Sequence, residues 1–182
     1  MNTKKNKLVL DLDDELPYEG WAFLHIRTPQ PAFAFADGLQ RLYGYRFTRI
    51  DDLELADAAW PFFIFSDSVL HLKYYLVERP AAALQAPWEA GDKLLFICGD
   101  VARREAGRIC DDFSSSDPAD PLDRLKADHW RLISDYQQRL TMVTMLDFES
   151  DMPLSSRAAR DRKLMQQYCD KILTIIDLAQ LV

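Results

Sequence analysis

The chain lacks most of what makes a function readable. No apolar run approaches the roughly 20 residues that a membrane-spanning helix requires. Its three cysteines, Cys98, Cys110 and Cys169, are odd in number and far apart. They offer neither a disulfide framework nor the paired spacing of a zinc site, so three reduced thiols are expected. The three histidines, His25, His71 and His129, share no metal-ligand spacing, and no G-x-S-x-G nucleophile turn occurs. Positive charge is short as well, with 22 Lys and Arg against 29 Asp and Glu. Residues 1–120 hold 13 basic against 20 acidic side chains, and 121–182 hold nine of each, so the whole net charge of −7 sits in the first part. Such a surface repels phosphate backbones and anionic lipid, which argues against nucleic acid and membrane as partners. The opening Met1-Asn2-Thr3-Lys4-Lys5-Asn6-Lys7 is basic, but Leu8-Val9-Leu10 runs at once into Asp11. That is too short and too charged for a secretory h-region, and a cytoplasmic location is expected.

What is present is a change of period near residue 115. Before it the sequence alternates like strands, and after it apolar residues recur at helical steps. Lys7 to Leu12 and Trp21 to Ile26 read as strands, separated by a turn at Pro17, Glu19 and Gly20. A helix is predicted from Pro31, with Phe35, Leu39, Leu42 and Tyr43 on one face and Gly44 ending it. Phe47 to Leu55 is ambiguous. The clearest β feature is 60–78, two aromatic and β-branched runs around Ser66-Asp67-Ser68, which predicts a hairpin. Neighbours on a strand point to opposite sides, so Phe62/Phe63 and Tyr74/Tyr75 put aromatic surface on both faces. Cover from within the chain is the expected solution, because soluble monomers rarely leave large apolar patches open. Lys93 to Cys98 carries an unbroken apolar run after its lysine and predicts a central strand. No internal repeat is visible.

Residues 111–120 read as a linker with helix-start chemistry, Asp117-Pro118 or Asp120-Pro121. Beyond it, Leu122, Leu125, His129, Leu132, Tyr136, Leu140, Val143 and Leu146 form one helical stripe. Met152-Pro153 interrupts, Ser155 or Ser156 can cap, and Met165, Tyr168, Ile172, Ile175, Ala179 and Val182 form a second stripe. The organisation expected is an α+β domain over 1–110, a linker, and a helical hairpin over 121–182 packed on the domain or on a partner. The fold class is α+β, a mostly antiparallel sheet of about five strands with one packed helix, followed by a C-terminal two-helix hairpin.

Lys7-Leu8-Val9-Leu10-Asp11-Leu12-Asp13, Phe35-Ala36-Asp37-Gly38-Leu39, Arg49-Ile50-Asp51-Asp52-Leu53-Glu54-Leu55 and the hairpin ending Tyr74-Tyr75-Leu76-Val77 follow one another in a characteristic order. Over roughly residues 7–100 they resemble the uncharacterised Bacteroidetes family named for its IPExxxVDY motif. Ala86-Pro87-Trp88-Glu89 and Asp92-Lys93-Leu94-Leu95-Phe96 stand where that motif falls, with its glutamate and final tyrosine displaced or lost. The family has no assigned activity, so the resemblance implies a lineage and no mechanism.

Several constellations bear on chemistry. Leu8-Val9-Leu10-Asp11-Leu12-Asp13 is similar to the first motif of haloacid-dehalogenase-type phosphatases. There Asp11 would attack phosphorus and Asp13 would act as acid/base beside Mg²⁺. Asp14-Glu15 replace the usual hydroxyl residue, and an edge strand running into an acidic turn accounts for the same residues. Asp51, Asp52 and Glu54 carry oxygen ligands without the glycine and alternation of a calcium loop, so a solvated turn in which Arg49 pairs with one carboxylate explains them. Gly99-Asp100-Val101-Ala102-Arg103-Arg104-Glu105 is a weak anion-site pattern, or a turn before a short solvated helix. A cysteine–histidine nucleophile would need the fold to bring His25, His71 or His129 beside Cys98 or Cys110.

No catalytic residue, cofactor or resident metal follows from these patterns. The expectation is a non-catalytic interaction or assembly protein, self-associating through the stripes of the C-terminal helices. The alternative is a small Mg-dependent phosphatase using Asp11 and Asp13, and a ligand site beneath the aromatic hairpin is a third possibility.

Overall fold

Trp21–Arg27 alternates side chains between two covered faces and forms strand β1. The computed structural model describes residues 18–55, 58–114, 141–148 and 154–178. After β1 come α1 (Ala32–Tyr43), β2 (Thr48–Leu55), β3 (Ala58–Asp67), β4 (Leu72–Glu78), β5 (Lys93–Cys98), α2 (Ala102–Ser114), β6 (Met142–Leu146) and α3 (Ser156–Leu178). The described strands make one six-stranded sheet in the order β2-β3-β4-β5-β1-β6, and every neighbouring pair is antiparallel.

Local chemistry accounts for the element ends. Pro31, extended at φ −66 and ψ 157, precedes α1 and carries no side-chain cap. The Glu78 carboxylate of β4 takes that role from across the fold, accepting the Ala32 N–H at 2.5 Å. Gly44 ends the helix as predicted, in the left-handed region at φ 77, and donates its N–H to Gln40 O. The hairpin is present with Phe65 opposite Tyr74 and Asp67 opposite Leu72. Its turn falls two residues later than Ser66-Asp67-Ser68 suggested. Asp67 accepts the N–H groups of Val69 and Leu70 at 2.8 and 3.0 Å, which moves the reversal onto residues 68–71.

The aromatic pairs divide as the alternation requires. Leu24, Ile26, Phe63, Tyr74, Leu76, Leu95 and Ile97 face α1 and α2, meeting Phe35, Leu39, Ala106 and Ile109. Trp60, Phe62, Tyr75, Val77 and Phe96 face the other way and are covered by Cys169, Ile172, Leu173 and Ile176 of α3. The chain therefore covers its own second face. Ile172 and Ile176 are fully buried there, and each such side chain stabilises by about 1.5–3 kcal/mol. β5 is central and buried on both sides, as its unbroken apolar run predicts.

Four expectations change. The sheet has six described strands rather than about five, because Phe47 to Leu55 resolves into β2 and residues 142–146 add another. Met142–Leu146, expected at the end of a helix running from 122, is the edge strand β6, with Val143 opposite Ile26. Val143 and Thr144 are β-branched, and the open edge of β1 supplies hydrogen bonds that a frayed helix end would lack. The remainder of that predicted helix, and the strand expected at Lys7 to Leu12, lie outside the described residues. α2 continues through Asp111 to Ser114, where a linker was expected. Finally, the sheet packs three described helices instead of one, and the C-terminal region shows one described helix, α3, started by Ser155 accepting the Ala158 N–H at 3.3 Å.

Candidate functional site

β1 and β6 pair from Arg27 opposite Met142 to Phe23 opposite Leu146, and then the two chains part. Where they diverge a cleft of about 160 Å³ opens. Its lining is largely aromatic, with Tyr18, Trp21, Phe23 and Phe148 among its residues. The Tyr18 and Phe23 rings meet edge to face at 5.0 Å and 80°. Phe148 lies 5.8 and 5.7 Å from those two rings, and Trp21 stands parallel to Phe23 at 6.4 Å. Such contacts are worth about 0.5–1.5 kcal/mol each beyond burial, so the wall is held before anything enters it.

Polar groups fix the wall from outside. Tyr18 donates its phenol proton to Asp170 of α3. Burial, then this carboxylate, raises the phenol pKa, so Tyr18 stays protonated. Arg103 of α2 and Asp147 are the charged side chains of the lining, and both are exposed. The start of α2 is brought here by Gly99, at φ 138, whose N–H donates to Gly20 O at 2.8 Å just before β1. A Cβ at Gly99 would stand 2.7 Å from the His71 carbonyl oxygen, so this approach requires glycine.

Buried charge collects at the opposite end of β5. Asp92, 4% exposed, accepts from His25 Nε2 at 2.7 Å and from the Glu89 N–H at 3.1 Å. Lys93, 1% exposed, lies 3.2 Å from Glu78 and donates to Gly91 O. Burial lowers its pKa while Glu78 opposes that shift. Arg79 is also buried and donates to Ala83 O at 2.6 Å. A further network joins α2 to the end of α1 and the residues that follow it. Arg108 reaches both oxygens of the buried Glu105, which also takes the Tyr45 hydroxyl, and Tyr43 donates to Asp112 at 2.9 Å. The Arg108 guanidinium lies 4.5 Å above the Tyr43 ring.

The residues singled out from sequence fall elsewhere. Asp11, Asp13 and His129 lie outside the described residues. Asp51, Asp52 and Glu54 lie along the edge strand β2, where Asp52 pairs with Arg49. Among the described residues no group of three His, Cys, Asp or Glu side chains could hold a metal ion. His25 is bonded to Asp92 and sits opposite Leu94. Cys98 is four residues further along β5, about 13 Å away at strand spacing. His71 occupies the β3–β4 turn at φ 52. Burial raises the thiol pKa of Cys98, Cys110 and Cys169, the opposite of nucleophile activation. Gly99 to Glu105 is a turn and a helix start, but that helix buries Ala102, Glu105, Ala106 and Ile109 and is not a solvated one.

The cleft is not visible in the sequence. Tyr18, Trp21 and Phe23 are visible as a local aromatic cluster, but Phe148 and Arg103 reach them only through β6 pairing and the Gly99 approach.

These features define an α+β protein with an antiparallel sheet covered on both faces and an aromatic cleft at the fork of two strands. Among the described residues no helix is long and apolar enough to cross a membrane. No family model matches the chain, and no curated protein or solved structure matches it.

Proposed function

We propose that this chain is a non-catalytic interaction protein that seats a group of its partner in the cleft between β1 and β6. The observation that carries this reading is the cleft itself, a preformed aromatic wall open to solvent beside two charged side chains. The buried ionisable groups point the same way. His25 is engaged by Asp92 and Lys93 by Glu78, and the described thiols are held protonated. Three reduced cysteines fit the cytoplasm, and the lineage suggested by 7–100 remains that of the IPExxxVDY proteins. Self-association through the C-terminal region would use the outer side of α3, where Leu164 and Leu178 are exposed, because Ile172 is committed to the sheet. The phosphatase alternative finds no parallel strands among those described.

The test is nuclear magnetic resonance of labelled full-length protein titrated with benzyl alcohol, run beside a phosphoester turnover assay with Mg²⁺. Shifts confined to Trp21, Phe23 and Phe148 and lost in Phe148→Ala, with no turnover, are expected. Mg²⁺-dependent turnover abolished by Asp11→Asn would overturn the reading in favour of the phosphatase.

A further inference from the structure

α3 concentrates positive charge in a chain that is otherwise acidic. Residues 156–171 hold five Lys and Arg against two Asp, while the whole chain has a net charge of −7. Arg157, Arg160 and Lys163 follow one another at steps of three, which places them along one side of the helix. At about 3.6 residues per turn that side continues through Gln167, Lys171 and Thr174. It lies opposite Cys169, Ile172, Leu173 and Ile176, which are buried on the sheet. All six residues of the outward side are exposed. The sheet takes up only the second half of the helix. From Ser156 to Leu164 every residue is exposed except Ala158 and Arg162, which are half-buried.

Two features set these cations apart from an ordinary solvated helix face. Such faces balance acid and base at steps of three and four, as Asp37 and Arg41 do on α1 at 2.8 Å. Among the described residues Arg157, Arg160 and Lys163 meet no carboxylate at ion-pair distance, although Asp161 stands four residues from Arg157. In addition, Arg157 occupies the first turn, which holds no acidic residue. The start of a helix carries positive partial charge, so a cation there works against the helix. Stability of the fold gives no reason for the stripe, and an anionic partner does.

The surroundings limit what that partner is. A nucleic-acid backbone is long and uniformly charged, and would also meet the acidic remainder of the chain. No exposed aromatic side chain stands on the stripe to stack a base. A short segment touches the stripe alone. Arg157 to Lys171 covers about 21 Å of helix axis, the length of about six extended residues. We propose that the outward side of α3 docks a short Asp- and Glu-rich segment of another protein, with its carboxylates against Arg157, Arg160 and Lys163. The stripe shares no residue with the cleft lining, so its occupant is independent of what the cleft holds.

Fluorescence anisotropy tests this with full-length protein and a rhodamine-labelled peptide of ten glutamates at low salt. A peptide of ten glutamines and a ten-nucleotide single-stranded DNA carry the same label as comparisons. The glutamate peptide is expected to saturate below about 1 mM and to weaken at least tenfold at about 0.3 M salt, with neither comparison saturating. The triple variant Arg157→Gln, Arg160→Gln, Lys163→Gln should weaken the glutamate peptide at least tenfold. It should keep or raise the parent's melting temperature, because unpaired cations leave the start of a helix. A lower melting temperature would overturn the proposal by giving the stripe a structural role. DNA binding as tight as that of the peptide would transfer the surface to nucleic acid. A solution mass that halves in the triple variant would assign it to a second copy of this chain. Peptide binding that is absent, or unchanged in the triple variant, would sink the proposal outright.

Discussion

Tyr18, Tyr43, Tyr74 and Tyr75 all have phenol pKa values raised above the ordinary 10.0, in each case chiefly by burial. For Tyr18 and Tyr43 a neighbouring carboxylate, Asp170 or Asp112, adds to the shift. The sign of the linkage follows directly. Above pH 10 an unfolded chain loses these protons while the folded chain keeps them, so stability is full below that pH and falls as pH rises beyond it. Lys93 runs the other way, since its lowered value favours the folded state as pH approaches 10.5, but it is one group against four. Denaturant midpoints measured from pH 8 to 12 should fall above about pH 10, with phenolate absorbance appearing together with unfolding. Phenolate absorbance growing well before structure is lost would refute the burial of these hydroxyls. None of these partnerships is visible in the sequence, because Tyr18–Asp170 and Tyr43–Asp112 join residues from different elements.

At the scale of elements, α3 is the instructive one. Its stripe of Met165, Tyr168, Ile172 and Ile175 was legible from spacing, and so was its serine start. The partner of that stripe was not, since a helical period states that one face seeks apolar surface without saying whose. The sheet supplies it. Ile172 belongs to the same buried cluster as Trp60, Phe62 and Tyr75, and Ile175 is a partly buried residue packed against that cluster. Replacing both by Asp should therefore unfold the protein rather than dissociate an oligomer, costing about 4 kcal/mol or more, because unpaired charge would enter a dry layer. Thermal melts of the double variant check this. A variant that keeps the parent's melting temperature but loses apparent mass would restore an intermolecular seam. β6 teaches the converse. Val143 and Leu146 fitted a helical stripe by spacing, yet five residues beside an open strand gain more from the ladder of β1 than from the end of a helix.

At the scale of the molecule, the described residues form a sheet between two helical layers, and its aromatic hairpin makes both layers necessary. A chain ending at Ser116 would lack β6 and α3 and would open the face of Trp60, Phe62, Tyr75 and Phe96 to water. Light scattering on a sizing column should show the full chain as a discrete species and the truncation as aggregate. A soluble, folded truncation would mean that α3 is dispensable cover. The sequence by itself determined the α+β class, the hairpin, the central strand β5, the Gly44 helix stop and the acidic balance. Alternation, turn residues and caps act over a few residues, so their consequences can be read locally. Tertiary structure decided that 142–146 is a strand, that α3 covers its own sheet, that Lys93 and Asp92 are buried with partners, and that Phe148 closes an aromatic cleft against Tyr18 and Phe23. Those outcomes depend on which distant segments compete for the same surface, and the winner is set by burial summed over the whole fold.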